Sequence, residues 1–408
     1  MKIILRSLFL LFFIGCTIAM NAQDVQTFVW EDTNGDGIQD GGENLISGVT
    51  VEVFDVATNT LQGGGPLAEV GGEYELPAAT LTDGIQYYIV YTLPGTMDAF
   101  TIDNEGNGMN DSDAMIGTNS PWQSAPFSFV ASTTFTDIDV GMINSTSLCG
   151  TVFLDEDGNG EDNDGMDYSN VTIDLAHCDG SPVLDLDGMP YTTQISPGGN
   201  GDYCFDDLPP GDYNVTFTTN DGTFFLTEMD ATAGDTDDSD PDQTSGETDC
   251  ITITSSQPDL AHTDAGYYQE ICISDMVFED CNGNGVFDPG TDMELDGWVV
   301  NITNGDGSQT VDLDGNNVNT TTTAGGGLYE FCNLPPGVYD IEFELMPDFF
   351  FTNQDNPGNP TGTDGDSDPA GDPSTNGEVD DIVALSGQDI ESVDAGVYQE
   401  FTIGGVIY

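Results

Sequence analysis

The chain has 408 residues, of which 74 are acidic and only two are basic, so its formal charge at pH 7 is -72. The two basic residues are Lys2 and Arg6, and no lysine or arginine follows them. Because nothing cationic is available to contact phosphate, this composition argues against binding to nucleic acid or to an anionic membrane surface. Hydrophobic residues nevertheless make up 37% of the chain and alternate in strand-like runs, which favours a folded protein over a disordered one.

The first 22 residues have the features of a secretory signal peptide. Both basic residues precede an apolar run over residues 7–14, and the small residues before and at Ala22 offer a cleavage site after it. The apolar run is too short for a membrane-spanning helix. Lipoprotein processing at Cys16 is the alternative, although the usual Leu is replaced by Phe13. The sequence thus predicts a secreted, extracellular protein, with cell-surface attachment favoured and no membrane insertion.

Residues 32–43 have the spacing of a twelve-residue calcium loop. Oxygen-bearing side chains stand at positions 1, 3, 5, 9 and 12, and position 6 is Gly37. Calcium takes roughly six to eight oxygen ligands, which such a loop supplies with a backbone carbonyl at position 7 and a bidentate carboxylate at position 12. The flanking residues 28–30 and 49–53 read as strands, so this is not an EF-hand. The predicted ligands are Asp32, Asn34, Asp36, the Ile38 carbonyl, Asp40 and Glu43.

Four markers recur in the same order at a spacing of about 125 residues. They are the calcium loop, a Leu-Pro-Pro-Gly-x-Tyr segment (looser in the first copy), an acidic Asp-Ser-Asp triplet, and a closing Asp-x-Gly. The predicted division is a signal peptide (1–22), unit 1 (23–145), unit 2 (146–269), unit 3 (270–399) and the first strand of a truncated further repeat (400–408). We therefore expect the chain to be part of a longer array of such units.

Within each unit, short alternating strands are separated by clusters of Gly, Pro, Asn and Asp. Examples are residues 87–91, 171–175, 213–217 and 338–343. No stretch after the signal peptide shows helical periodicity. This pattern predicts an all-β protein built of β-sandwiches.

Together, the markers resemble the SdrD B-like repeats of serine-aspartate-repeat adhesins, which are relatives of the Cna B-type domain. The resemblance implies tandem immunoglobulin-like β-sandwich domains with calcium-binding loops, which stiffen the stalk of a bacterial adhesin. It also implies that the acidic triplets belong to metal sites, although a solvated acidic loop stays open as the alternative. Those triplet residues are Asp111, Asp113, Asp238, Asp240, Asp366 and Asp368. The Lys–Asn isopeptide bond of some collagen-adhesin domains is impossible here, because residues 23–408 contain no lysine.

The resemblance implies that the corresponding residues of the other two loops are also calcium ligands. In unit 3 the ligands are Asp280, Asn282, Asn284, the Val286 carbonyl, Asp288 and Asp292, the last aligning with Glu43 after a one-residue insertion. In unit 2 the first three are Asp155, Asp157 and Asn159, and a deletion leaves Asp162, Asp164 and Asp167 competing for the later positions. Since fewer charged ligands mean weaker binding, we expect unit 1 to bind calcium most tightly. A solvated turn is the alternative for any single loop.

Two disulfides follow from the spacing of four cysteines in an exported chain. Cys149 and Cys272 lie six and eight residues before the first Asp of their loops, while Cys204 and Cys332 lie four and two residues before the Leu of the Leu-Pro-Pro-Gly segment. Both pairs of offsets sum to ten, as expected for antiparallel neighbouring strands whose bridge has moved by one two-residue step. We therefore favour Cys149–Cys204 and Cys272–Cys332.

The remaining cysteines allow more than one arrangement. Elimination pairs Cys178 with Cys250 and leaves Cys281 free, while a Cys250–Cys281 bridge and buried free thiols are the alternatives. A zinc site is not favoured, because no Cys-x-x-Cys motif or close Cys/His group occurs.

No pattern indicates an enzyme. His177 and His262 lack a nucleophile elbow, and Trp30 and Trp298 fit core positions better than sugar-stacking ones. The favoured function is a calcium-stiffened stalk or adhesive region of a secreted or cell-surface adhesin, with Ca2+ as the only cofactor. Its partners are further repeats of the same chain and an unidentified extracellular protein or glycan. The alternative is a set of accessory spacers or carbohydrate-binding modules in a large extracellular enzyme.

Overall fold

The computed structural model describes residues 25–76, 80–103, 110–114, 121–130, 138–191, 193–195, 201–229, 238–256, 259–260, 262–352, 367–369 and 374–400. In this part of the chain the regular elements are β-strands and no α-helix occurs, which confirms the predicted all-β class. A search of the same residues for a helix able to cross a bilayer finds none. The predicted signal peptide and the strand expected after residue 400 lie outside the described residues.

Unit 1 is a sandwich of two sheets. Its strands are β1 (Val25–Glu31), β2 (Thr50–Asp55), β3 (Ala68–Val70), β4 (Glu73–Leu76), β5 (Gln86–Thr92), β6 (Ala99–Phe100), β7 (Trp122–Gln123), β8 (Phe127–Ser128) and β9 (Val140–Ile143). One sheet has the order β3-β4-β1-β9-β6, and the other has β2-β5-β7 with β8 also paired to β5. Alternate side chains of each strand point inward, so Val29 and Val140 of the first sheet share a core with Val51 and Ile89 of the second.

Unit 2 repeats this arrangement. Its strands are β10 (Thr146–Leu154), β11 (Val171–His177), β12 (Gln194–Ile195), β13 (Asp202–Leu208), β14 (Gly211–Thr219), β15 (Phe224–Leu226), β16 (Ile251–Ile253), β17 (Asp259–Leu260) and β18 (Ala265–Gln269). The sheet orders are β13-β10-β18-β15, with β17 beside β10, and β12-β11-β14-β16. Val152 and Ala265 from one sheet share a core with Ile173 and Val215 from the other.

Unit 3 has the same two sheets. Its strands are β19 (Ile271–Glu279), β20 (Met293–Glu294), β21 (Val299–Asn304), β22 (Thr320–Thr322), β23 (Leu328–Leu334), β24 (Gly337–Phe343), β25 (Phe349–Phe351), β26 (Gly377–Ala384) and β27 (Ala395–Gln399). The sheet orders are β20-β19-β27-β25, with β23 also beside β19, and β22-β21-β24-β26. Its core joins Val277 and Val397 to Val300 and Ile341.

The opening strand organises each unit. It pairs in parallel with the closing strand (β1 with β9, β10 with β18, β19 with β27) and antiparallel with β4, β13 or β23. Because the predicted calcium loop follows the opening strand and the closing marker begins the last one, this parallel pair brings the two markers to the same end of the sandwich. Every described sheet draws its strands from a single predicted unit.

The Pro-Pro-Gly-x-Tyr marker is a turn that its own tyrosine closes. The Tyr213 hydroxyl donates to the Pro209 carbonyl at 2.6 Å, and the Tyr339 hydroxyl donates to the Pro335 carbonyl at 2.5 Å. Proline carbonyls in a turn have no strand partner, so the buried hydroxyl satisfies one of them. The motif thus gives a turn that leads the chain from one sheet of the sandwich to the other.

Candidate metal centres

Each predicted calcium loop begins at a buried aspartate that holds the loop's own backbone. Asp32 accepts the Gly35 amide at 2.7 Å on one carboxylate oxygen and the Gly37 amide at 2.8 Å on the other. The same bonds recur to Asp155 from Gly158 and Gly160, and to Asp280 from Gly283 and Gly285. The two glycines at positions 4 and 6 have positive φ, which curls the backbone tightly around the carboxylate.

A buried threonine, which the loop spacing does not reveal, also donates to this aspartate. The Thr101 hydroxyl lies 2.6 Å from Asp32, and the Thr352 hydroxyl lies 2.7 Å from Asp280. Thr227 makes the same bond to Asp155. The threonines follow their aspartates by 69 to 72 residues, each directly after β6, β15 or β25. A recurring Phe-Thr or Leu-Thr pair at this distance is the sequence signal that would have found them.

The carboxylate at the end of each loop closes it onto position 2. Glu43 accepts the Thr33 amide at 2.6 Å and the Asp40 amide at 3.0 Å. Asp292 makes the equivalent bonds to the amides of positions 2 and 9 in unit 3, at 2.9 and 2.7 Å, so its alignment with Glu43 matches the geometry. In unit 2 the carboxylate that accepts the position-2 amide belongs to Asp164, at 2.6 Å.

Unit 2 brings three of its predicted ligands together. Carboxylate oxygens of Asp155, Asp157 and Asp164 all lie within 4.8 Å of one another. Burial, and then the charge of Asp164, raise the pKa of Asp157 above its usual value. A cluster of like charges held this close, with only oxygen donors, fits a hard divalent cation such as calcium. Asp162 is not in this cluster, and Asp167 is exposed and pairs with Phe153 in an isolated bridge.

The remaining predicted ligands lie at the rim of their loops. Asp40 is exposed and accepts the Asn34 side-chain amide at 3.4 Å, and in unit 3 Asp288 accepts amide groups of Asn282 and Asn284 at 2.8 and 3.0 Å. At position 5, the oxygens of Asp36, Asn159 and Asn284 accept the backbone amide of position 7 in their loops. The position-7 residues of the predicted sets are Ile38 and Val286, both partly buried.

The acidic triplet docks on the calcium loop. In unit 1 the Ser112 amide donates to the Gly37 carbonyl at 2.7 Å, and Asp111 pairs with Ile38 in an isolated bridge. Asp113 accepts the Asp139 amide of the closing marker at 2.8 Å. The same contacts recur in unit 2 through Ser239, Asp238 and Asp240, and in unit 3 through Ser367 and Asp368. Asp366 lies outside the described residues.

The closing marker joins the last strand to the opening strand. The Asp139 carboxylate accepts the Phe28 amide at 2.8 Å. In unit 2, a Cβ on Gly266 would lie 2.5 Å from the Thr227 methyl group and 2.6 Å from the Phe153 ring. Only glycine leaves room for the threonine that reaches the loop, which explains the glycine of this marker.

The electrostatic state of the first aspartate differs between loops. Burial raises the pKa of Asp32, against hydrogen bonds from Thr101 and the loop amides. For Asp280, burial is outweighed by its hydrogen bonds with Thr352 and three loop amides, so its pKa is lowered. Burial also raises the pKa of Glu43. Two carboxylates of the unit 1 loop therefore resist ionisation when no cation is present, and a bound cation would reverse this.

Three disulfides join Cys149 to Cys204, Cys178 to Cys250 and Cys272 to Cys332. These are the pairs that the sequence favoured, and Cys149 stands directly opposite Cys204 in the β10–β13 register. Cys281 is free and exposed. Since the cysteines near Asp206 and Glu330 are oxidised, they offer no thiolates to zinc.

Both histidines and the two core tryptophans lie away from any cluster. His177 stacks on Tyr213 with ring centroids 5.0 Å apart, and His262 is exposed. Trp30 and Trp298 are buried, as predicted. Among the described residues, every Phe, Tyr and Trp side chain is buried or partly buried.

Three buried tyrosines should limit the stability of the folded protein at alkaline pH. The hydroxyls of Tyr91, Tyr203 and Tyr329 donate to the carbonyl that precedes the closing-marker aspartate, and burial raises the pKa of each well above its usual value. A raised folded-state pKa contributes stability that is present below about pH 10 and is lost as the pH rises toward the folded value. Urea unfolding should thus show constant stability from about pH 7 to 9 and a fall above about pH 10.

Replacing Tyr203 by phenylalanine removes one titrating group from unit 2 and should make the alkaline fall there shallower, since burial also raises the pKa values of Tyr213, Tyr267 and Tyr268. Tyr88→Phe is the matched control, because Tyr88 lies at a partly exposed position. Equal alkaline profiles for wild type and Tyr203→Phe would contradict the assignment.

The sequence matches the SdrD B-like domain family over residues 23–142, 146–267 and 271–397. It is 28% identical over 392 residues to serine-aspartate repeat-containing protein D of Staphylococcus aureus strain Newman, covering 94% of this chain and 26% of that protein. It is 26% identical over 386 residues to serine-aspartate repeat-containing protein F of Staphylococcus epidermidis, covering 93% of this chain and 21% of that protein. This chain thus spans about a quarter of the length of these relatives. The major pilin subunit of Bacillus cereus aligns over 93% of this chain and all of that one, at 12% identity and a TM-score of 0.30, which is too low to carry an argument.

Proposed function

We propose, since this chain belongs to the SdrD B-like domain family, that its units form a calcium-stiffened stalk in a secreted or cell-surface bacterial adhesin. One observation carries the proposal. In each unit the loop holds together four separate chain segments: the opening strand, the buried threonine, the acidic triplet and the closing marker. A cation bound in the loop would therefore brace the end of the whole sandwich.

The charge of the chain gives the cation a second role. After Arg6 the sequence holds no lysine or arginine against its acidic residues, so the carboxylates have no basic side-chain partners there. Their mutual repulsion opposes compaction. Calcium at the loops supplies positive charge where carboxylates are closest, as at Asp155, Asp157 and Asp164. A stalk of this kind needs no catalytic group, and its ligand would be an extracellular protein or glycan.

Small-angle X-ray scattering of the full chain tests the stiffening. In calcium we expect the profile of an extended, narrow ensemble. In chelator at matched ionic strength, we expect a broader ensemble with a smaller mean radius of gyration, because a rod of folded units that loses its bracing cations bends. Magnesium is the control for simple charge screening, since it is smaller and demands octahedral geometry. Superimposable profiles in calcium and chelator would refute stiffening by calcium.

A further inference from the structure

The calcium loop of one unit contacts the Pro-Pro-Gly turn of the next. A Cβ on Gly35 of unit 1 would lie 2.1 Å from the Pro210 carbonyl oxygen of unit 2, and one on Gly158 of unit 2 would lie 2.6 Å from that of Pro336 in unit 3. Both prolines are buried. Position 4 of the loop is therefore a point of close backbone approach between consecutive units.

A backbone hydrogen bond recurs beside this contact. The Ser255 amide of unit 2 donates to the Thr33 carbonyl of unit 1 at 3.1 Å, and the Ser386 amide of unit 3 donates to the Glu156 carbonyl of unit 2 at 2.7 Å. In both cases the acceptor is position 2 of the loop. Both serines come shortly after the edge strand, β16 or β26, that pairs with β14 or β24.

A leucine of the following unit lies at each junction. Leu186, in an Asp-Leu-Asp-Gly turn of unit 2, is buried with Ala99 and Ile143 of unit 1. Leu313 stands in the same turn of unit 3, and it lines a cavity with Phe225 and Tyr268 of unit 2. Phe225 and Tyr268 occupy the register positions that Ala99 and Ile143 occupy in unit 1. The two junctions thus share two backbone contacts of the same kind, and in both the turn leucine faces the same pair of register positions.

Unit 3 has the receiving half of this junction, and no other described residue covers it. No heavy atom lies within 4 Å of a Cβ built on Gly283, and positions 2 to 4 of this loop are exposed, whereas those of the other two loops are partly buried. Phe350 and Tyr398 are the register counterparts of Phe225 and Tyr268 and stack at 5.8 Å. Tyr398 is partly exposed, whereas Tyr268 is 5% exposed.

We propose that Cys281, Asn282, Gly283, Phe350 and Tyr398 form a docking surface for a further unit of this kind. The incoming unit would place the second proline carbonyl of its Pro-Pro-Gly turn on Gly283. It would place the leucine of its Asp-Leu-Asp-Gly turn on Phe350 and Tyr398. At both junctions within this chain, the same loop position receives the Pro-Pro-Gly turn of the following unit. The inference rests on the proposed stalk, and it gives the surface by which that stalk continues in a fixed orientation.

Glycine variants of the natural chain test the junction rule. Gly35→Ala and Gly158→Ala add a methyl group at a contact, whereas Gly283→Ala adds it at the same loop position, with the same positive φ, in open space. Hydrogen exchange in calcium should show Ser255 deprotected about tenfold or more in Gly35→Ala, and Ser386 likewise in Gly158→Ala. Gly283→Ala should leave both amides protected. Equal exchange at Ser386 in Gly158→Ala and Gly283→Ala would overturn the rule.

A lengthened chain tests the docking surface itself. A second copy of residues 270–399, carrying Cys281→Ser, is placed after Gln399 in a chain that begins at residue 23, so that Cys281 of the first copy is the one free thiol. Alkylation of Cys281 should slow about tenfold relative to the natural chain, and Gly283→Ala in the first copy should restore the faster rate. Unchanged alkylation, with the added unit shown to be folded by its own exchange-protected core, would overturn the proposal. Because both tests run in calcium, a failure of calcium stiffening would appear in the scattering and leave their outcome intact.

Discussion

Transfer from calcium to chelator should lower the melting temperature of the three units by roughly 10–20 °C. A site held at about 1,000 times its dissociation constant stabilises the folded state by about 4 kcal/mol, which chelation removes. The loss is increased by repulsion among carboxylates such as Asp155, Asp157 and Asp164, which then face one another without a counter-charge. Differential scanning calorimetry of the full chain in calcium, magnesium and chelator measures the effect.

The same experiment on Asp155→Ala assigns the effect to a named loop. This substitution removes the acceptor of the Gly158 and Gly160 amides and of the Thr227 hydroxyl, so unit 2 alone should melt lower and lose its calcium response. Asp249→Ala removes the same charge from an exposed position of the unit and serves as the control. If chelator leaves the wild-type melting temperature unchanged, the loops do not hold structural calcium.

The positions of the loops and the disulfide pairs could be predicted from the sequence, because each depends on the spacing of residues within one or two strands. The Asp-x-x-Gly-x-Gly start of the loop recurs three times, and each copy folds around its first aspartate, while calcium binding by these loops stays a prediction. The cystine offsets worked because an antiparallel ladder pairs residues whose positions have a constant sum, as Cys149 and Cys204 do. The period-two alternation likewise placed β2, β5, β11, β14 and β24 to within two residues of their ends.

The buried threonine that donates to the first aspartate of each loop could not be predicted from local spacing. Thr101, Thr227 and Thr352 lie about seventy residues from their aspartates, and only the fold brings β6, β15 or β25 beside the loop. The recurring Phe-Thr or Leu-Thr pair can be recognised as a signal only once the fold shows which threonine meets the loop. The position-12 ligand of unit 2 was undecided for a related reason. After the deletion, only the backbone path determines that Asp164 meets the Glu156 amide.

The buried tyrosine that donates to the carbonyl before the closing marker comes from different strands in different units. Tyr203 and Tyr329 come from the Tyr-x-Phe segment, whereas in unit 1 the hydroxyl that reaches the equivalent carbonyl belongs to Tyr91 of β5. Tyr74 stands at the matching position but bonds to the Ile46 carbonyl at 3.2 Å. Aligning repeats by residue type therefore finds the motif but assigns the hydrogen bond to the wrong residue in unit 1.

Reduction of the disulfides should destabilise units 2 and 3 and leave unit 1 unchanged. The three bridges close loops of 55, 72 and 60 residues, and the chain-entropy model gives about 4 kcal/mol for a loop of this size. Unit 1 contains no cysteine among residues 23–145 and is the internal control. Hydrogen exchange with and without a phosphine reductant, in calcium, assigns the effect to each unit. Equal loss of protection in unit 1 would show that the reductant acts by another route.

Loss of the Cys178–Cys250 bridge should cause the largest local loss of stability, because this bridge lies beside the short edge strand that pairs with β14. It joins the end of β11 to the start of β16, an edge strand of only three residues, whereas the corresponding strand of unit 3, β26, has eight residues and no cystine. Cys178→Ser with Cys250→Ser should therefore release β16 first, and exchange at Thr252 should rise while β26 stays protected. In unit 1 the short edge strands β7 and β8 are held instead by aromatic contacts, Trp122 with Tyr91 and Phe127 with Tyr87. The three units thus secure the same sheet edge by three different means: aromatic packing, a covalent bond and strand length.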